Sequence, residues 1–140
     1  MKIKLIKFRD DLIPPTRAHY NDAGIDCFAQ EDFDLYASNN HIDGLLIPLG
    51  FGLEIPNGYM ATIRPRSSMN IKGIITQIGT IDSGYRGEIK SYFINTTKNG
   101  YKFKRGDKIC QIVVEPVVLA EPVLELGEER GEGGFGSTGR

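Results

Sequence analysis

One segment of the chain carries an arginine and two serines in a setting that suits an anion. In PRSSMNIKG, residues 65–73, Arg66, Ser67 and Ser68 follow an apolar run and begin a short helical pattern. An arginine fork and the amides of a helix N-terminus both fit phosphate oxygens. A serine that caps the helix beside a surface arginine would give the same sequence pattern. Taken alone, this segment slightly favours that structural interpretation.

A second segment combines a carboxylate with an aromatic ring. In GTIDSGYRGEI, residues 79–89, the sequence predicts a turn-rich hairpin in which Asp82 follows an apolar residue and Tyr85 stands three residues later. A carboxylate at the mouth of a strand can act as a general base, and a tyrosine ring can support a sugar. A β-turn that begins with aspartate explains the pattern equally well, so both interpretations stay open.

Two further segments place charged or polar side chains beside strands. AGIDCFA, residues 23–29, predicts a strand with Asp26 among apolar neighbours, and RGDKICQ, residues 105–111, predicts a turn that leads into a strand. An acid in such surroundings is either paired structurally or functional, and pairing is the usual case. Cys27 and Cys110 are interpreted as reduced core thiols, because free cysteines are commonly buried and no zinc-ligand spacing is present.

The C-terminal letters RGEGGFGSTGR, residues 130–140, are rich in glycine around the single ring of Phe135. Gly131, Gly133 and Gly136 match the spacing of the dinucleotide-binding fingerprint, but the four residues that follow are too few for the helix that this motif requires. The chain also lacks the G-x-x-x-x-G-K-[ST] pattern of a P-loop. Neither of these nucleotide-binding motifs is therefore predicted.

Composition limits the class of protein. With 140 residues and 40% hydrophobic content, the chain is predicted to form one domain with its own core. Seventeen basic and eighteen acidic residues give a formal charge of -1, without the positive excess typical of nucleic-acid-binding proteins. The N-terminal MKIKLIKFRDD has no uninterrupted apolar region for secretion, and GLLIPLGFGL is too short to cross a bilayer. We expect a soluble cytoplasmic protein without a nucleic-acid or membrane partner.

The elements that must hold these side chains are predicted to be β-strands. Short apolar or alternating runs recur between turn residues, which is typical of an all-β sandwich or barrel. Seven prolines leave few windows with helical periodicity, and SSMNIKG is the best candidate for one or two helical turns. The predicted strands are IKLIKF, LLIP, FGLEIP, YMATIRP, EIKSYFIN and KICQIVVEPVVL.

The order of five segments is the most specific signal in the sequence. AGIDCFA, PRSSMNIKG, GTIDSGYRGEIK, RGDKICQIV and RGEGGFGSTG resemble, in this order and with suitable spacing, the five motifs of the trimeric dUTPases. The resemblance implies a jelly-roll-like β fold, a homotrimer with sites at subunit interfaces, and hydrolysis of dUTP to dUMP and pyrophosphate with Mg2+. It also implies a β domain over residues 1–126 and a flexible C-terminal arm over residues 127–140 that closes over the active site.

The resemblance also implies a role for each matching residue. Asp82 matches the base that activates water for attack on the α-phosphorus, Tyr85 matches the ring packed against deoxyribose, and Ser67 lies near the oxygen that bridges the α- and β-phosphates. The other implied contacts are Arg66 and Ser68 with the phosphates, Gly79, Thr80, Ile81 and Lys90 with the nucleoside, and Asp26 and Gln111 with the phosphates and the metal's water shell. In the arm they are Arg130, Ser137 and Thr138 with the γ-phosphate, Phe135 over the uracil, and Gly136 as a further substrate contact.

The sequence departs from the family pattern at two positions near the predicted site. Gly84 stands where many members carry a second acid, and Thr76 stands where an asparagine commonly helps to read uracil. The base contact near Thr76 is then expected from the backbone or from Gln77.

Two other functions are compatible with the predicted fold, one as an alternative to hydrolysis and one as an addition to it. A dCTP deaminase shares a related core, but its deaminating glutamate would fall at Tyr92, where this chain has no acid. A regulatory protein-binding role is compatible with the resemblance as an addition to hydrolysis. Retention of all five motifs favours hydrolysis, because a protein that only binds would be free to lose Asp82.

Overall fold

Short antiparallel strands make up nearly all of the fold. The computed structural model describes residues 1–37 and 44–127. The helix α1 (Ser67–Ile71) is the only helix in these residues, and no helix there is long and apolar enough to cross a membrane. The strands are β1 (Lys4–Lys7), β2 (Ile25–Phe28), β3 (Phe33–Leu35), β4 (Gly44–Pro48), β5 (Phe51–Glu54), β6 (Tyr59–Arg64), β7 (Ile74–Thr76), β8 (Gly79–Ile81), β9 (Lys90–Asn95), β10 (Tyr101–Phe103) and β11 (Lys108–Pro116).

The strands form sheets around one apolar core. The largest sheet has the order β2-β11-β6-β8, the next has the order β4-β9-β7, and β1-β5 and β3-β10 form two-stranded sheets. Phe51, Phe93 and Phe103 are among the largest side chains that are fully buried. The Phe103 ring lies 4.7 Å from the rings of both Phe33 and Tyr101 and 5.8 Å from that of Phe93. Phe103 therefore joins β3, β9 and β10 through direct aromatic contacts.

Strand β6 occupies an inner position in the largest sheet. β11 pairs with one edge of β6 over six residues, and β8 pairs with the other edge, where Ile81 lies opposite Ala61. Its sequence, YMATIR, is rich in the β-branched and aromatic residues that fit a pleated, half-buried surface. Because α1 begins at Ser67, just after β6 ends, and β8 runs back along β6, the strand carries a motif segment at each of its ends.

Two glycines fix the turns that flank the polar segments. Gly106 has a φ of +92° in the turn before β11, and Gly73 has a φ of +81° after α1. Side chains other than glycine rarely adopt this left-handed conformation. In the first turn, the backbone amide of Lys104 donates to a carboxylate oxygen of Asp107 at 2.9 Å. These turns set where β11 begins and where α1 ends.

Most of the predicted elements are confirmed. Five of the six runs of alternating or apolar residues contain β1, β5, β6, β9 and β11, and LLIP covers all of β4 except Gly44. The AGIDCFA segment contains β2, and SSMNIKG contains α1. The sequence did not indicate β3, β7 and β10, which have three residues each. A run of this length is too short to show a period of two, so only pairing with a neighbouring strand defines them.

The predicted hairpin at residues 79–89 is wrong. β8 pairs with β6, whereas β9 pairs with β4 and β7, so the segment crosses from one sheet to another. Its tight turn is present, because the amide of Tyr85 donates to the carbonyl of Asp82 at 3.1 Å. Turn residues specify a local bend but not the strand that accepts the next hydrogen bonds.

Both cysteines are buried, free thiols, as predicted. Cys27 in β2 lies opposite Cys110 in β11, and neither side chain is exposed to solvent. The hydrogen bond with the Cys110 thiol, together with burial, raises the pKa of Cys27 well above its ordinary value. At neutral pH Cys27 is therefore a protonated, apolar part of the core.

Asn95 connects the end of β9 to two neighbouring segments. Its side-chain amide donates to the carbonyl of Leu35 at 3.2 Å and to the carbonyl of Asn99 at 2.8 Å. Its side-chain oxygen accepts bonds from the backbone amide and the hydroxyl of Thr97, at 2.9 and 2.8 Å. All hydrogen-bonding positions of this buried carboxamide are thus occupied.

Replacing Asn95 with alanine should lower the free energy of unfolding by about 2–4 kcal/mol, because several buried backbone groups lose their partners. Urea titration followed by circular dichroism, at one fixed protein concentration, measures this loss. Lys98→Ala, an exposed change in the same loop, is the control and should alter stability by less than about 0.5 kcal/mol. An equally small effect of Asn95→Ala would contradict the role assigned to this side chain.

Candidate active site

The first group of predicted site residues lines a cavity at the end of β8. Asp82 directly follows the buried Ile81 and is exposed, so water can reach its carboxylate. The ring of Tyr85 is 46% exposed at the same opening. The cavity, called the Asp82 cavity below, has a volume of about 300 Å³ and is lined by Ile63, Gly79, Thr80, Ile81, Asp82, Tyr85, Glu88, Ile89 and Lys90.

The second group lies where β6 passes into α1. Arg66 precedes the helix with an extended backbone, and its guanidinium donates to the carbonyl of Lys108 at 3.0 Å. Ser67 and Ser68 are exposed in the first turn of α1, which contains no acidic residue. This group, called the Arg66 cluster below, consists of Asp26, Arg66, Ser67, Ser68, Lys108 and Gln111.

Pairing between strands brings Asp26 and Gln111 into the Arg66 cluster. Gln111 in β11 lies opposite Asp26 in β2 and opposite Arg64 in β6. Its side-chain amide donates to the carbonyl of Pro65 at 3.0 Å. On its other side the carboxamide packs against Gly24, where an added Cβ would lie only 1.9 Å from the side-chain oxygen. The Gln111 side chain is therefore held beside the segment that leads into α1.

Positive charge dominates the surface around α1. A cavity of about 340 Å³ beside the helix is lined by Arg66, Lys72 and Lys108, with Asp107 as its acidic residue. Lys108 also forms an ion pair with Asp26, with 3.0 Å between the ammonium nitrogen and a carboxylate oxygen. An excess of cations at a partly open cavity favours an anionic ligand.

The described residues contain no group of three or more His, Cys, Asp or Glu side chains arranged to hold a metal ion. In the Arg66 cluster, Asp26 supplies a single carboxylate, 17% of whose side-chain surface is exposed. Mg2+ usually keeps several water ligands and is bound through one or two carboxylates together with substrate phosphates. A single carboxylate beside an anion-binding surface fits that mode of binding.

Asp82 and Arg66 lie near opposite ends of β6 within one chain. Ile81 lies opposite Ala61 near the start of β6, whereas Arg66 comes after its end. At about 3.3 Å per residue, the five steps from Ala61 to Arg66 span about 16 Å. The structure thus brings Gly79, Thr80, Ile81, Tyr85 and Lys90 together with Asp82, and Asp26, Ser67, Ser68 and Gln111 together with Arg66. Gly79, at the other end of β8 from Asp82, lies opposite Ile63, three residues before Arg66.

Thr76 and Gln77, the two residues predicted near the uracil, differ in their exposure to solvent. Thr76 in β7 is only 3% exposed, and its hydroxyl has no hydrogen-bond partner within the described residues. Gln77 is exposed, and its backbone amide donates to the carbonyl of Tyr92 at 2.9 Å. Tyr92, where the resemblance to a dCTP deaminase would require an acid, covers Gly44, where an added Cβ would lie 1.8 Å from its ring.

The contacts predicted for the C-terminal arm lie outside the described residues. They are Arg130, Phe135, Gly136, Ser137 and Thr138.

Sequence reasoning missed Lys108 and Glu88. Lys108 forms the ion pair with Asp26, and the carboxylate of Glu88 accepts a hydrogen bond from the amide of Gly50 at 3.1 Å. Both residues stood inside motif segments, but a lysine or glutamate in a strand or turn usually indicates only a solvated surface. Their partners are distant in sequence, so no local signal could have indicated these contacts.

Known proteins similar to this chain all point to one family. A sequence model described as dUTPase matches residues 10–139. The deoxyuridine 5'-triphosphate nucleotidohydrolase of Clostridium tetani is 43% identical, with 100% of this chain and 97% of that protein covered. The enzyme of the same name from Gloeothece citriformis is 42% identical, covering 99% of this chain and 97% of the relative.

Solved structures show the same fold. The dUTPase from phage phi11 of S. aureus matches with a TM-score of 0.82 at 22% identity, covering 93% of this chain and 99% of that one. The Staphylococcus bacteriophage 80alpha dUTPase with dUpNHpp matches with a TM-score of 0.80 at 25% identity, covering 97% of each chain. A mutant of the phi11 protein was solved with a structural Mg(II) ion. The match of the family model over residues 10–139, together with relatives above 40% identity over nearly the whole chain, shows that this chain belongs to the dUTPase family.

Proposed function

We propose that this protein hydrolyses dUTP to dUMP and pyrophosphate. The observation that carries the proposal is the exposed carboxylate of Asp82 beside the Tyr85 ring, in a chain of the dUTPase family. Relatives that match nearly the whole chain are named for hydrolysis of deoxyuridine triphosphate. In the cell this reaction removes a precursor of uracil in DNA and supplies dUMP.

In the proposed mechanism, Asp82 accepts the proton of a water molecule as the water oxygen attacks the α-phosphorus. A new oxygen–phosphorus bond forms at the α-phosphate, and the bond to the bridging oxygen breaks, so pyrophosphate leaves. General-base catalysis of this kind contributes about 10²- to 10⁴-fold in rate. The exposure of Asp82 supports the assignment, because the attacking water must reach its carboxylate.

The Arg66 cluster is proposed to bind the phosphates. Arg66 and Lys108 supply positive charge, and Ser67 and Ser68 supply hydroxyl donors at the start of α1. Ser67 is proposed to donate to the bridging oxygen, where negative charge develops as the bond breaks. Phosphoryl transfer depends mainly on such positioning and charge stabilisation.

Mg2+ is proposed as the cofactor. Asp26 would orient it through water, and Gln111 would hold the neighbouring phosphate oxygens. When bound, Mg2+ supplies charge neutralisation on the triphosphate. The single carboxylate of Asp26 in the Arg66 cluster supports this role, because Mg2+ needs few protein ligands when phosphates complete its coordination.

We further propose that the protein works as a homotrimer in which each site combines the Asp82 cavity of one subunit with the Arg66 cluster of another. The path of about 16 Å along β6 from Ala61, opposite Ile81, to Arg66 supports this arrangement, because it places Asp82 far from the Arg66 cluster within one chain. Apolar side chains on the surface of the single chain also support burial against other subunits. They include Leu46, Ile75, Ile78, Val118, Leu119 and Leu124, and Leu124 is fully exposed.

The proposal extends to the C-terminal arm over residues 127–140. The resemblance supports Phe135 as a cover for uracil and Arg130, Ser137 and Thr138 as contacts of the γ-phosphate, with Gly136 between them. A segment so rich in glycine loses much conformational entropy when it is ordered, so substrate contacts must offset that cost. The β domain would then comprise residues 1–126.

Selectivity for deoxyuridine should follow from the Asp82 cavity. If backbone groups of residues 79–85 pair with uracil, kcat/KM for dUTP should exceed that for dCTP by roughly 10⁴-fold, since cytosine leaves buried polar groups unpaired. If Tyr85 excludes a 2′-hydroxyl, kcat/KM for dUTP should exceed that for UTP by roughly 10²-fold, since a wall that only excludes an added hydroxyl discriminates less strongly. Pyrophosphate release with Mg2+ measures dUTP, dCTP, dTTP and UTP in parallel. Turnover of dCTP or UTP within tenfold of dUTP would contradict the proposal.

Thr76 should not take part in reading the base through its side chain. Because its buried hydroxyl has no partner within the described residues, Thr76→Val should leave the ratio of kcat/KM for dUTP to that for dCTP unchanged. The same change should raise the free energy of unfolding by about 1 kcal/mol, since an unpaired buried hydroxyl is removed. A loss of base selectivity in Thr76→Val would show instead that the hydroxyl contacts the substrate.

If each site is shared between two subunits, mixing two inactive variants should restore hydrolysis of dUTP. Asp82→Asn lacks the base and should lose at least about 10²-fold in kcat. Arg66→Gln lacks the phosphate contact. After subunit exchange at equal concentrations, about a quarter of the sites should combine an intact Asp82 with an intact Arg66, because the two halves come from independently drawn subunits. Pyrophosphate release from dUTP measures the recovery.

The control for this experiment replaces the Arg66→Gln protein with the double variant Asp82→Asn, Arg66→Gln. Every mixed site then lacks the base, so no activity should return. Native mass spectrometry verifies subunit exchange in both mixtures. Confirmed exchange without recovery in the first mixture would refute the shared site.

A further inference from the structure

The Tyr85 ring is held in a fixed position by its own loop. Its hydroxyl donates to the carbonyl of Glu88 at 2.8 Å, and its backbone amide closes the turn to Asp82. The hydroxyl therefore bonds within the loop that carries it. The ring lines the Asp82 cavity, so whatever fixes this loop also fixes one wall of the cavity.

Gly87 lies directly beneath the Tyr85 ring. An added Cβ at Gly87 would lie 2.5 Å from the Tyr85 hydroxyl oxygen and 2.7 Å from the ring carbon that bears it. Real side chains do not approach this closely, because non-bonded carbon atoms are most stable at about 3.5–4.0 Å. The ring can thus reach the Glu88 carbonyl only because residue 87 has no side chain.

Gly52 in β5 allows the backbone of the loop at Gly87 to lie close to β5. An added Cβ at Gly52 would lie 2.5 Å from the carbonyl oxygen of Gly87. β5 is held by pairing with β1 along its length, and the Ile89 amide donates to the carbonyl of Phe51 at 2.9 Å. A side chain at position 52 would therefore displace the Gly87 backbone, by close to 1 Å if ordinary contact distances are restored.

Glu88 holds the loop in place through two further hydrogen bonds. Its carboxylate accepts a hydrogen bond from the backbone amide of Gly50 at 3.1 Å. Its backbone carbonyl accepts the bond from Tyr85. One residue thus connects the β4–β5 turn to the hydroxyl of the ring.

We propose that Gly52, Gly87 and Glu88 are positioning residues that set the depth of the Tyr85 ring in the Asp82 cavity and thereby the discrimination between deoxyribose and ribose. The inference rests on the proposed function, in which Tyr85 packs against the sugar. It adds that the selectivity depends on two backbone approaches, at Gly52 and Gly87, which do not line the cavity, and on the bond of the Glu88 carboxylate to the Gly50 amide. A ring moved away from the sugar admits a 2′-hydroxyl, so an outward displacement of the ring lowers selectivity.

The test compares kcat/KM for dUTP with kcat/KM for UTP in each variant. This ratio is independent of the fraction of folded enzyme, so a purely structural defect would lower both values and leave their ratio unchanged. In Gly52→Ala the ratio should fall by about tenfold or more, because displacements near 1 Å at a reacting or binding group can cost as much as about 10²-fold. Glu88→Ala should act in the same direction, and it carries the test if Gly52→Ala fails to fold.

Two matched variants are the controls. Gly84→Ala adds the same methyl group in the same loop, but no atom lies within 4 Å of the added Cβ. Glu88→Gln keeps an oxygen that can accept the bond from the Gly50 amide. Both should keep the wild-type ratio within about twofold, since the position of the ring is unchanged.

The outcomes separate the inference from the proposed function. Wild-type protein that does not hydrolyse dUTP overturns the proposed function and the inference with it. Wild-type protein that prefers dUTP over UTP, with Gly52→Ala and Glu88→Ala retaining the same ratio, overturns the inference alone. A fall in the ratio for Gly84→Ala as large as for Gly52→Ala would also overturn it, because selectivity would then depend on the loop in general.

Discussion

The pairing of β6 with both of its neighbours is the constraint on which the rest of the site depends. β11 holds one edge of this strand over six residues, and β8 holds the other edge near its start. β8 carries Asp82 to one end of β6, whereas the chain that leaves the other end enters α1 with Arg66. A strand cannot shorten without losing its hydrogen bonds, so the path from Ala61, opposite Ile81, to Arg66 stays about 16 Å long in one chain.

The same ladder assembles the Arg66 cluster from segments that are far apart in sequence. β11 lies between β2 and β6, and this order places Gln111 between Asp26 and the end of β6. The ion pair of Lys108 with Asp26 and the bond of Arg66 to the Lys108 carbonyl then connect the three segments. Antiparallel pairing thus assembles the Arg66 cluster, which no single motif could form, because each segment supplies only one or two of the interacting groups.

Close approaches of the backbone shape the Asp82 cavity. Its wall at Tyr85 exists because residues 52 and 87 have no side chains, so the backbone at Gly87 lies against that of Gly52 and the ring lies against Gly87. Side-chain packing in a core tolerates small adjustments of rotamers, but a contact between two backbones gives way only if a strand or a loop moves.

The sequence by itself determined the strand content, the short helix, the buried cysteines and the family. Short runs rich in apolar and β-branched residues between turns indicated the longer strands, although the fully buried positions of β9 include the polar residues Ser91 and Asn95. The five segments, quoted in order, indicated the family because each carries residue types that its role requires. Polar residues near turns could be identified as candidates in the same way, although their roles remain proposals.

Only the tertiary structure decided which segments meet. The sequence of residues 79–89 predicted a hairpin, yet β8 and β9 belong to different sheets. The prediction failed because a turn sequence fixes a bend and not the partner of the next strand. Burial of the Thr76 side chain, the pairing of Lys108 with Asp26 and the approach of Gly52 to Gly87 likewise involve residues distant in sequence. Such contacts depend on the order of strands in the sheets, which local periodicity does not encode.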